Sequence, residues 1–62
     1  MMTMNEICKV VIIDDDYTAI EDLKKRLAVY SDMLIKGTAV NGAKGRKMIM
    51  EQRPDLLFLD IE

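Results

Sequence analysis

The sequence predicts an α/β fold in which helices alternate with the strands of a small parallel sheet. Three observations lead there. Residues 9–13 (KVVII) form a short, β-branched and almost unbroken apolar run that ends in three aspartates. The period then changes, with Ile20, Leu23, Leu27 and Tyr30 at helical spacing. A further apolar run closes the chain behind Pro54. Continuous apolar strands suit a sheet buried on both faces, and strand–helix alternation with right-handed crossovers gives a doubly wound layer.

Each element has its own signals. Residues 9–13 give the first strand. Asp16 is placed to cap a helix over residues 18–30, with Glu21 and Asp22 early in it, where the helix dipole favours negative charge. Lys24, Lys25 and Arg26 occupy its polar faces, and Ser31-Asp32 breaks the pattern. Residues 33–40 (MLIKGTAV) give a second strand, weakened by Gly37. Asn41-Gly42 marks a turn, and Asn41 can cap a second helix running to Gln52. That helix is the weakest element: its apolar face rests on Ala43, Met48, Ile49 and Met50, and an interior Gly45 costs about 1 kcal/mol relative to Ala. Pro54 ends it, and residues 55–60 (DLLFLD) make the third strand. The order is β-α-β-α-β in one unit, with no repeat, linker or low-complexity tract.

Composition narrows the classes. Half of the 62 residues are hydrophobic and 32% are charged, which fits a globular chain. The net charge of −2 gives no general reason to expect nucleic-acid or membrane binding. Cys8 is the single cysteine, so there is no internal disulfide and no thiol-based zinc site, a pattern suited to the cytosol. No apolar run reaches the roughly 20 residues of a membrane span. Residues 1–5 lack the apolar stretch of a signal peptide and read as a loose lead-in. A chain this small buries only about 60% of its unfolded surface, so its core is marginal.

The chemistry-bearing residues are acidic. With strand order 2-1-3, the first and third strands adjoin, and Asp14, Asp15 and Asp60 lie at one sheet edge. Parallel neighbours are about 4.8 Å apart, so these carboxylates converge and need protonation, solvation or a cation. Mg²⁺ suits them, because it takes oxygen ligands and needs one or two carboxylates beside its waters. Ligands of such folds bind in the crevice beyond the strand ends. Taken alone, residues 14–16 are explained equally well by helix capping, and a solitary Asp60 by loop chemistry. The topology that unites them strengthens both. Asp16 is better read as a cap, and Lys44, Arg46 and Lys47 as a solvated helix face.

VVIIDDD, an amphipathic helix, a short strand, Asn-Gly and then RPDLLFLDIE together resemble the first half of a response-regulator receiver domain, from about Cys8 to Glu62. AIEDLKKRLAVYSD further resembles receivers attached to LytTR-type DNA-binding domains. The resemblance implies a truncated flavodoxin-like (CheY-like) fold and a module of a two-component phosphorelay, not an enzyme beyond its parent's own phosphorylation and dephosphorylation. It implies Asp60 as phosphoacceptor, Asp15 as a direct Mg²⁺ ligand, Asp14 acting more through water, and the main-chain carbonyl of Glu62 as a further ligand. A histidine kinase or small phosphodonor is the implied partner, in the cytoplasm, and DNA is reached only through an output domain that regulates transcription.

The sequence departs from that family in two ways. A complete receiver has two more strands and three more helices, which carry a hydroxyl residue, a lysine and an aromatic switch residue. Gly45 and Arg46 stand where the family usually has small and large apolar residues. Residues 1–62 are accordingly expected to be a partial receiver. Its third strand is expected to be an apolar edge that self-associates or leaves the chain partly folded. Two other readings remain: an excised or engineered α/β unit that self-assembles without phosphotransfer, and the opening of a doubly wound enzyme that binds a phosphate ligand. The last is disfavoured because DDDYTA is acidic where a phosphate loop needs glycines and free N–H groups.

Overall fold

The computed structural model describes residues 6–60. Its elements follow the predicted order: β1 (Cys8–Asp14), α1 (Tyr17–Leu27), β2 (Met33–Ala39), α2 (Gly42–Gln52) and β3 (Leu56–Asp60). The sheet is parallel with order β2-β1-β3. Central β1 explains its own composition, because Val10, Val11, Ile12 and Ile13 are all buried and only a strand covered on both faces can use such a run.

The alternation of β1 sorts the core into two layers. Val10 and Ile12 face α1 and pack with Ile20, Leu27 and the half-buried Leu23, Leu56 and Phe58. Val11 and Ile13 face α2 and pack with Ala39, Met48 and Ile49. Registers follow: Val10 pairs with Leu56 and Ile12 with Phe58, whereas Val11 pairs with Leu57 and Ile13 with Leu59. On the β2 side the register slips between Val10 and Val11, partnered by Ile35 and Gly37, so Lys36 is the extra residue of a bulge. A bulge and an exposed lysine are two devices that blunt an edge strand. At the other edge, β3 has neither.

The first helix is shorter than its periodicity suggests. It ends at Leu27: the Ala28 N–H still makes a helical bond to the Lys24 carbonyl at 3.0 Å, but the Tyr30 N–H closes a tighter turn onto the Leu27 carbonyl at 3.0 Å. Tyr30, placed on the apolar face by spacing, is therefore beyond the helix and 55% exposed. Asp16 is the N-cap, accepting the Thr18 N–H at 2.9 Å. The first turn holds no acid. Glu21 and Asp22 lie one turn further in, where the dipole has decayed, and pair instead with Lys24 at 3.4 Å and Arg26 at 3.3 Å. Both pairs are solvent-exposed enough to add only a few tenths of a kcal/mol.

The second helix is held differently from the sequence expectation. Asn41 caps it, accepting the Lys44 N–H at 2.9 Å, and Arg53 closes it in the left-handed region at φ 48°. Met48 and Ile49 reach the core, but Ala43 and Met50 are exposed. The buried residue of α2 is Gly45. A Cβ there would overlap Ile13 Cδ1 and lie 2.9 Å from Ile13 Cγ1, so the missing side chain is a notch that β1 fills. The reciprocal notch is Gly37 on β2, where a Cβ would overlap Met48 Sδ. The two glycines that read as weaknesses let helix and sheet approach.

Candidate functional site

The carboxyl ends of β1 and β3 hold the acids. Asp14 and Asp60 are register partners, the last pair of the β1–β3 ladder. Asp14 is half-buried, and Asp15 and Asp60 are exposed. The loop after β1 is organised by its own side chains. Asp14 Oδ1 accepts the Asp16 N–H at 2.9 Å, and Asp16 Oδ1 accepts the Thr18 N–H at 2.9 Å. These two bonds turn the chain from strand into helix and engage Asp16 as a cap. Among the described residues, neither the Asp15 nor the Asp60 carboxylate accepts a hydrogen bond. Both remain available to water or a cation.

The donor chemistry suits a hard divalent ion: carboxylate oxygens at one open edge, beside the N-terminus of α1. Among the described residues, however, no three acidic, histidine or cysteine side chains are gathered closely enough to hold a metal. The edge is a set of adjacent carboxylates rather than a closed cage. An ion bound through one or two carboxylates and several waters asks for no more, which is the habit of Mg²⁺. Glu62 lies outside the described residues.

Bonds invisible in the sequence pattern pin the opposite end of the same two strands. The Lys9 N–H donates to Asp55 Oδ2 at 2.9 Å, and the Asp55 N–H donates to the Lys9 carbonyl at 2.8 Å. This clasp fixes where β3 starts, and therefore which residue of β3 reaches Asp14. A depression of about 430 Å³ beside the clasp, lined by Glu6, Ile7, Cys8, Asp32 and Asp55, lies at the amino edge, away from the three acids. No described helix is long and apolar enough to cross a membrane. Lys44, Arg46 and Lys47 are exposed on α2.

Strand order, parallel pairing and an acidic carboxyl edge define a flavodoxin-like doubly wound unit with its rim at the switch point between β1 and β3. The sequence is 43% identical over 54 residues to the transcriptional regulatory protein BtsR of Escherichia coli K12, covering 87% of this chain and 23% of that protein. It is 38% identical over 53 residues to the probable C4-dicarboxylate response regulator DctR of Bacillus subtilis, covering 86% of this chain and 24% of that protein. A protein-glutamate methylesterase/protein-glutamine glutaminase of Maricaulis maris is 34% identical over 58 residues, 94% of this chain and 14% of that protein. The chain thus spans about a quarter or less of the relatives it matches. No family model and no solved structure matches it. By its fold and these relatives, the chain is similar over most of its length to response regulators, consistent with a partial receiver domain.

Proposed function

We propose that residues 1–62 supply the metal-holding and phosphoacceptor part of a receiver domain in a two-component phosphorelay. The observation that carries this is the register pairing of Asp14 with Asp60 at the carboxyl ends of adjoining parallel strands. Asp60 is the nucleophile: a carboxylate oxygen forms a bond to phosphorus as the bond from phosphorus to the donor breaks. Asp60 is exposed and accepts no hydrogen bond from a described residue, which leaves its carboxylate open to an in-line donor. Asp15 is the direct Mg²⁺ ligand, with Asp60 beside it, Asp14 acting through water and the Glu62 carbonyl completing the set. When bound, Mg²⁺ neutralises the negative charge that would otherwise oppose attack by one anion on another.

In this proposal the family's hydroxyl and lysine come from the two strands and three helices of the parent outside residues 1–62. The phosphoryl donor is a histidine kinase or a small acyl phosphate. The output is transcriptional, as the name of the Escherichia coli relative suggests for that protein, and is reached through a DNA-binding domain. The cytoplasm is the compartment where such a donor and output meet. The test is intact mass of the complete parent after acetyl phosphate. One phosphoryl group is expected with Mg²⁺ and none with EDTA; an unchanged mass with Mg²⁺ would sink the assignment.

A second reading is favoured by β3, whose Leu57 is 38% and Leu59 64% exposed at an edge with no bulge, lysine or proline inside it. Unpaired strand edges of this kind recruit other strands. The 62-residue chain by itself is expected to self-associate through β3, as an α/β unit without phosphotransfer. Sedimentation velocity across a hundredfold range of concentration checks this, and a concentration-independent monomer with a cooperative thermal transition would refute it.

A further inference from the structure

We propose that Met48 is an oxidation site, at which a hydroperoxide releases α2 from the sheet. The inference is independent of the phosphoryl chemistry above. The Met48 sulfur occupies the space that a side chain at Gly37 would fill, with Cγ and Cε each 3.1 Å from that absent Cβ. The thioether is therefore packed against strand backbone in a residue that is half-buried rather than sealed from solvent.

The anchorage of α2 makes this contact decisive. Its apolar side chains in the core layer are Met48 and Ile49, and its third contact is the Gly45 backbone against Ile13. In the reaction, a sulfur lone pair attacks the terminal oxygen of the hydroperoxide and an S–O bond forms as the O–O bond breaks. The sulfur loses two electrons, and the peroxide leaves as water or an alcohol. Oxidation makes the sulfur that fills the notch at Gly37 bulkier and strongly polar, so its packing against the apolar layer weakens and α2 is held less firmly. Met50, on the same helix but 71% exposed, can be oxidised with no such consequence, and Met33 packs against the α1 layer on the opposite face of the sheet.

The test compares the natural chain, a Met33→Leu/Met50→Leu variant and Met48→Leu before and after hydrogen peroxide. Peptide mapping locates the sulfoxides, and amide exchange reads the protection of α2. Leucine keeps most of the volume of methionine, so docking survives each change. Peroxide is expected to lower α2 protection at least about tenfold in the natural chain and in the double variant. Protection in Met48→Leu should not change, although Met50 is converted. The proposal is overturned if Met48 is oxidised with α2 protection intact. It is equally overturned if Met48→Leu loses protection as the natural chain does, if Met48 resists peroxide that fully converts Met50, or if α2 is unprotected before treatment.

Discussion

Asp60→Asn in the complete parent is expected to remove phosphoryl labelling altogether while leaving the fold intact. The amide has the shape of the carboxylate but no charge to deliver to phosphorus, so the acceptor is lost at constant sterics. Asp60 is exposed and accepts no hydrogen bond from any described residue, so the substitution breaks nothing structural. Its register partner is another carboxylate, and removing one of two like charges cannot destabilise the pair. Stability should stay within about 0.5 kcal/mol of the parent, as for other surface changes. Intact mass with acetyl phosphate and Mg²⁺, beside urea denaturation of the same sample, checks both halves. Undiminished labelling of the variant would remove Asp60 from the acceptor role. Asp15→Asn serves as the contrast: it is expected to weaken Mg²⁺ binding while the acceptor itself survives.

Gly45→Ala is expected to destabilise the chain, against the sign that helix propensity gives. Propensity alone favours alanine by about 1 kcal/mol. The added Cβ would overlap Ile13 Cδ1, and Ile13 is 2% exposed in the central strand, buried among Val11, Ala39, Met48 and Ile49. Overpacking of this kind costs about 1–3 kcal/mol, so after the propensity gain a net loss of up to about 2 kcal/mol is expected. A chain of this size has a total stability of only about 3–9 kcal/mol, so the loss would be plain in a urea midpoint. Gly42→Ala supplies the control. Gly42 is exposed at the start of the same helix, and neither it nor any other described glycine has positive φ. There alanine should be neutral or stabilising. Equal effects at both positions would show that the notch at Gly45 is unimportant.

Much of this could be read before any coordinates. The unbroken Val10–Ile13 stretch marks a strand covered on both faces, and its place as the central strand follows from needing two layers to bury it. Asp16 and Asn41 are legible as caps because capping is a local bond between a side chain and a backbone N–H two or three residues on. The acidic residues of the candidate site were legible too, since strand ends are set by where apolar residues stop.

What tertiary structure decided is whatever depends on distant partners. Spacing put Tyr30 on the helix, but the local turn at residues 27–30 ends α1 first. Periodicity put Ala43 and Met50 on the core face of α2, whereas the orientation of that helix is set by Ile13 entering at Gly45 and Met48 entering at Gly37. A glycine reads as a weakness until the neighbour that needs its space is known. The Asp55–Lys9 clasp likewise joins residues far apart in sequence and sets the register that brings Asp60 beside Asp14. The sequence by itself determined the order of elements and the acids at their ends, because those are properties of neighbours along the chain. The depth at which α2 sits and the exact register that pairs Asp14 with Asp60 were decided only by packing, because they are properties of neighbours in space.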